Sequence, residues 1–135
     1  MTRRTARQKL SQQELPPYIR EQLARFDQVQ QNLQAVLIQK QQVEMELSET
    51  EKALAELAKA TDSEDIYKFA GNLLVKVDRN ETVKELTEKK ELENTRKMVL
   101  AKQEGRFREN LKDLQTKIDE AVKGKQAQAK PAGDA

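Results

Sequence analysis

From Tyr18 to Ala60 the chain contains neither glycine nor proline, and its apolar residues recur alternately every three and four positions. Place heptad position a at Phe26, Leu33, Lys40, Leu47 and Leu54, and d at Val29, Val36, Val43, Thr50 and Leu57. Only Lys40 and Thr50 then break an apolar seam, in a chain whose hydrophobic share is 36%. Leu23 and Leu37 flank the seam and widen it. A stripe this long and regular specifies a helix that buries one side against another helix. Leu15-Pro16-Pro17 immediately precedes it, and proline suits a first helical turn because no hydrogen bond is lost there.

A second arm of the same length follows. Residues 18–60 and 80–122 each predict a helix of roughly 65 Å. Asp78 and Glu81 stand at capping-box spacing at the start of the second arm. With a at Val83, the residues Val83, Leu86, Leu100, Phe107, Leu111, Leu114, Ile118 and Ala121 form its seam, interrupted by Lys90, Glu93, Lys97 and Glu104. Leu92, Met98 and Val99 offer a shifted stripe through that polar middle. The i,i+4 pairs Glu85/Lys89, Glu93/Lys97 and Glu104/Arg108 support an exposed face. Equal arms about a central connection suggest an antiparallel pair. The polar heptads admit more than one pairing register.

Between the arms lies DIYKFAGNLLVKVD, residues 65–78, a patch of strand chemistry in a helical chain. Thr61-Asp62-Ser63 ends the first helix. Ile66 to Ala70 and Leu73 to Val77 are rich in β-branched and aromatic residues. Gly71-Asn72 supplies the two-residue loop of a hairpin. That loop sets Ala70 against Leu73, Phe69 against Leu74 and Ile66 against Val77. Ile66, Lys68, Ala70, Leu73, Val75 and Val77 share one face, and Tyr67, Phe69, Leu74 and Lys76 the other. Both faces are largely apolar, and a lone two-stranded hairpin is marginal in water. Its open edges invite further pairing. The expectation is that Ile66, Tyr67, Phe69, Leu73, Leu74, Val75 and Val77, with the Gly71-Asn72 turn, form a subunit-assembly site. A short helix packed on the helix base is the competing reading, disfavoured by Gly-Asn and the β-branched run.

Composition removes several function classes. With no cysteine and no histidine among 135 residues, the usual thiol nucleophile, imidazole base and soft metal ligands are missing. The pairs Glu44/Glu46 and Glu49/Glu51 point in different directions at helical i,i+2 spacing, so they read as solvated charges. There is no phosphate-binding G-x-x-x-x-G-K-[ST] loop. No enzyme activity, cofactor or metal is expected. Net charge is +2, which argues against nucleic acid as a partner of the whole chain. Arg3, Arg4, Arg7 and Lys9 stand among residues 1–13 with no acid, and the basic head, residues 1–14, is read as a solvated, disordered segment. Residues 125–135 read as a disordered tail. No apolar run approaches the ~20 residues of a membrane span, so a cytoplasmic protein is the expectation.

The segments ELPPYIREQLARF, QKQQVEMELSETEKALAELAKA, DIYKFAGNLLVKVD and KELTEKKELENTRKMVLAKQEGRF, in this order, resemble the prefoldin family, in its archaeal β class. The similarity spans about residues 14–124, and YKFAGNLLVKVD at the midpoint of two equal arms is its most specific part. The basic head is not part of the family pattern. The resemblance implies a mostly α fold with one β-hairpin: a long antiparallel two-helix coiled coil whose hairpin joins an intersubunit β-barrel. A single hairpin marks the β class, since the α class carries two.

By the same resemblance the function is that of an ATP-independent chaperone. It is a hexamer of two α-class and four β-class subunits that holds unfolded clients at the coiled-coil tips and passes them to a group II chaperonin. The client-contact candidates near the chain ends are Leu15, Ile19, Leu23, Phe26, Ile118 and Val122. Phe26 and Ile118 also suit the last layers of the seam, whereas Leu15, Ile19 and Val122 lie further out. The alternative is a structural coiled-coil scaffold or tether, which needs no strands.

Overall fold

A computed structural model of the chain describes residues 15–129, and their side chains through Gly124. The element order is helix α1 (Pro17–Lys59), strands β1 (Ile66–Ala70) and β2 (Leu73–Val77), and helix α2 (Arg79–Ala129). The basic head at residues 1–14 lies outside the described residues. Helix α2 runs past Gly124 to Ala129, so the first part of the segment read as a tail is helical. Lys125 to Ala129 are Lys, Gln and Ala, whose helix propensities are high enough to continue beyond one glycine.

Helix α1 begins where the prolines place it. Pro17 occupies the first turn, and the Arg20 amide donates to the Pro16 carbonyl at 3.1 Å. At the other helix start, the Glu81 amide donates to Asp78 Oδ2 at 3.0 Å and the Thr82 hydroxyl to the Asp78 carbonyl at 2.7 Å. Asp78 is therefore the N-cap of α2, and its negative charge also suits the positive end of the helix dipole.

The strands pair antiparallel in the register Ile66↔Val77, Tyr67↔Lys76, Lys68↔Val75, Phe69↔Leu74 and Ala70↔Leu73. Gly71 adopts φ +62°, and no non-glycine residue described has positive φ. Only the first central residue of the turn needs the left-handed region, which is the type II′ pattern, with glycine where a Cβ would be strained.

The described residues divide into two compact units, one containing residues 36–102 and the other residues 15–35 and 103–129. Within residues 36–102, Val36, Val43, Leu47, Leu57 and Leu100 are buried, and Lys40, Leu54, Val83 and Leu86 are half-buried. All are positions of the heptad seam. Fully burying a Val or Leu side chain contributes about 1.5–3 kcal/mol.

The polar middle of this seam is a structural layer. Glu93 is only 3% exposed, as is Thr50. The Thr50 hydroxyl donates to Glu93 Oε1 at 2.7 Å. Glu46 and Arg96 approach to 4.0 Å beside it. Because Glu46 pairs with a residue later than the partner of Thr50, the two helices run antiparallel here. These pairs also select one register from those the sequence admits. The shifted stripe does not form: Leu92, Met98 and Val99 are all exposed. Glu93 faces the seam rather than supporting an outer Glu93/Lys97 pair, because rotating α2 to bury Leu92 would carry Leu100 out of contact. The Glu104–Arg108 pair forms, at 3.8 Å.

The junction between α1 and α2 is fastened by a residue whose role has no local sequence signature. Arg79 donates through Nε and Nη2 to the Leu57 carbonyl, at 3.2 and 3.0 Å, and through Nη1 to Asp62 at 3.5 Å. A guanidinium here satisfies a terminal carbonyl of α1 and opposes the negative end of its dipole.

Thr50→Val should destabilise this region by about 1–3 kcal/mol, because Glu93 would lose the donor that compensates its burial. The double variant Thr50→Val/Glu93→Leu should recover that loss or exceed the parent. Urea unfolding midpoints of the two variants check the pair.

Candidate functional site

The hairpin carries the largest group of uncovered apolar side chains among the described residues. Phe69 is 77% exposed, and Tyr67, Leu73, Leu74 and Val75 are also exposed, while Ile66 and Val77 at the base are half-buried. Phe69 and Leu74 stand side by side on one face, and Leu73 and Val75 lie on the other. Neither face is covered. The one polar clasp, Lys76 to Asp65 at 3.2 Å, is itself solvent-exposed and adds little stability. The structure thus brings all the hairpin candidates together, with Gly71 and Asn72 exposed at the turn.

The origin of this exposure is local. Period-two alternation sends side chains to both sides of a sheet, and a sheet of two strands has nothing of its own to lay against either side. Burying the exposed hairpin side chains would contribute on the order of 5–10 kcal/mol per subunit before the costs of association. No other described feature of this chain offers a comparable gain.

The candidates near the chain ends are treated differently by the fold. Ile19 is 3% exposed and Ile118 is 8% exposed. Leu15, Leu23, Phe26 and Val122 are half-buried. Ile19, among the outer candidates, is thus a seam residue, one heptad before Phe26. The position one heptad before Val29 is Gln22, which is 5% exposed with no partner for its Oε1. Extending the heptad back by one repeat would have found both residues.

A buried amide oxygen without a donor costs about 1–3 kcal/mol, so Gln22 weakens the seam beside Ile19. Nearby, Val29 and Leu114 form the floor of an open groove of about 310 Å³. It is edged by Arg25, Gln28, Asn110, Asp113 and Lys117.

Among the described residues no group of three acidic, cysteine or histidine side chains is placed to hold a metal ion. No described helix is long and apolar enough to cross a membrane. What the described residues do present is the exposed apolar surface of the hairpin.

Comparison with known proteins agrees with that character. A family model described as "Prefoldin subunit" matches residues 20–125. This chain belongs to the prefoldin subunit family. It is 46% identical over 105 residues to "Prefoldin subunit beta" of Archaeoglobus fulgidus, covering 78% of this chain and 90% of the relative. A second relative of the same description, from Pyrobaculum islandicum, is 41% identical over 123 residues, covering 89% and 98% of the two chains. The crystal structure of the prefoldin beta subunit from Thermococcus strain KS-1 matches with a TM-score of 0.73 at 39% identity, covering 81% of this chain and 96% of that one.

Two long helices with one hairpin between them are thus the prefoldin β architecture. Prefoldin is a chaperone family rather than an enzyme family. Membership implies assembly with other prefoldin subunits.

Gln22→Leu should stabilise the seam around Ile19 and Ile118, raising the opening free energy of amides near these residues by about 1–3 kcal/mol. Native-state hydrogen exchange at residues 19–26 and 114–122 measures it.

Proposed function

We propose that this chain is one β-class subunit of a hexameric, ATP-independent holdase, built from two α-class and four β-class subunits. The complex captures unfolded proteins through the helix ends and delivers them to a group II chaperonin in the cytoplasm. The observation that carries the assembly half of this reading is the hairpin with two uncovered apolar faces, on a chain 46% identical to a prefoldin subunit beta. Such a hairpin gains cover only from other polypeptides, and the family supplies hairpins of its own kind.

The client half rests on chemistry near the ends of the helices. Leu15, Leu23, Phe26 and Val122 keep part of their surface in water, while Ile19 and Ile118 are released only when the seam opens. Terminal helical turns open at low free energy. Apolar surface displayed in this way grips many sequences weakly, and several copies acting together convert weak grips into useful retention. No step in this cycle needs a nucleophile or a nucleotide, so the absence of histidine and cysteine from the sequence costs it nothing.

The decisive measurement is suppression of aggregation of a chemically unfolded client by the assembled complex without ATP. Suppression near stoichiometric complex is expected, and none would sink the holdase reading. Val75→Asp, on an exposed hairpin face, should abolish assembly and leave helicity largely intact. A mutant still hexameric by mass measurement would remove the hairpin from the interface. Deleting residues 1–22 and 118–135 should weaken client binding without dissociating the complex. Unchanged client affinity would move the client surface away from the helix ends.

A further inference from the structure

Three apolar side chains of α2 belong neither to the seam nor to the hairpin. Leu92 and Met98 are each 62% exposed, and Val99 is 49% exposed. At i, i+6 and i+7 they occupy about a third of the helix circumference, on its outward side, with Thr95 at the centre. The Thr95 hydroxyl donates to the Glu91 carbonyl at 3.0 Å. It is thereby satisfied within its own helix, so covering it costs little. The charged residues nearest in sequence turn away from the patch. Arg96 approaches Glu46 at 4.0 Å, and Lys97 is half-buried toward the seam.

Charge brackets this patch in a fixed order. Glu88 and Glu91 precede it on the same side of α2, and Lys102 follows it. Lys84 and Glu85, a turn earlier, cancel one another. Lys89 stands about 100° round the helix from Glu88. None of Glu88, Glu91 and Lys102 makes an ion pair with another described residue. Their charges are uncompensated within the chain.

The spacing is symmetric about Thr95. Glu88 and Lys102 lie seven residues to either side of it, and Leu92 and Met98 three residues to either side. A helix with this order meets a reversed copy of itself with opposite charges facing and apolar side chains between them. Turned about an axis through Thr95, the partner presents Lys102 to Glu88 and Met98 to Leu92. A parallel copy would instead set Glu88 against Glu88. A small residue at the axis lets the two helices approach closely. An unfolded segment gains from the apolar patch but not from the order of the charges around it.

We propose that the outward side of α2 docks on the same side of α2 in a second copy of this chain, antiparallel about Thr95. The contact buries Leu92, Met98 and Val99 of both copies and sets each Glu88 against the other copy's Lys102. An antiparallel contact sends the two hairpins in opposite directions. Copies whose hairpins gather in one body therefore do not meet this way, and the contact joins one complex to another. It leaves the hairpin uncovered for its own partners and does not depend on client capture. Three apolar side chains per copy fall well short of the ~800 Å² per partner typical of a stable interface. A single contact is accordingly weak and reversible, and complexes holding several copies gain by engaging more than one.

The chain has no cysteine, so Thr95→Cys, in the full-length chain within its assembled complex, reports on the axis directly. Pairing there brings the two Cα atoms within the ~7 Å that a disulfide spans. Ser48→Cys, exposed on α1, is the control. Mild oxidation should link Thr95→Cys chains from separate complexes, at least doubling the sedimenting mass, and leave Ser48→Cys complexes unlinked. Adding Glu88→Lys should slow linking roughly three- to tenfold. Adding Lys102→Glu to that variant should restore the parent rate. Glu88, Thr95 and Lys102 are exposed, so none of these changes touches the seam. Linking no faster than the control would overturn the proposal, as would linking inside one complex with its mass unchanged. Charge reversals without that loss and rescue would overturn it too. Loss of aggregation suppression in a Leu92→Glu/Met98→Glu complex, with Thr95→Cys linking only at the control rate, would overturn it by assigning the patch to clients.

Discussion

Two helices can hide only the stripe that each turns toward the other. Everything else about this prefoldin subunit is arranged around that limit. The seam takes most of the apolar residues at a and d, and the outer positions are mainly Glu, Lys and Gln, with Ile38, Met45, Leu92, Met98 and Val99 exposed among them. The hairpin therefore has no helix face to lie against. Its apolar residues remain uncovered on both sides, from Tyr67 and Phe69 to Leu73 and Val75. Such exposure is a liability in a lone monomer, and membership of this family implies assembly with other subunits.

The seam is not uniformly apolar, and its polar residues set different local properties. Thr50 and Glu93 meet in a buried hydrogen bond. The cost of burying a carboxylate is offset only when that donor is opposite it, so misaligned pairings are penalised and one register is specified. Gln22 has no such complement for its Oε1. The two layers differ in what crosses the seam: Thr50 meets Glu93 Oε1, whereas Gln22 Oε1, like Glu93 Oε2, is buried without a partner.

The junction shows how much one charged side chain organises. Arg79 is the first residue of α2, yet two of its guanidinium nitrogens bond to the carbonyl of Leu57 in α1. This clasp and the Asp78 cap fix where both helices meet the strands. An open cleft of about 470 Å³ at the hairpin base, lined by residues of α1, β1 and α2, is a product of that geometry.

Much of this was legible in the sequence because periodicity is a local property. The heptad positions of α1 and α2 are the positions that lose exposure, and the Gly71-Asn72 loop sets the strand register by counting. Glycine and asparagine at a two-residue turn leave few alternatives. The exposed state of the hairpin also followed, since two strands with two apolar faces cannot cover themselves. Tertiary structure alone decided which register the polar heptads choose, because Lys90, Glu93 and Lys97 carry no local signal of their partners. It placed Glu93 inside and Leu92, Met98 and Val99 outside, against the simple rule that apolar residues go in, because rotating the helix would forfeit the Leu100 layer. It buried Ile19, whose place further out toward the chain end had suggested that it was free. Arg79 and Gln22 likewise acquired their roles only on pairing, since a guanidinium's acceptor and an amide's missing donor both depend on residues distant in sequence.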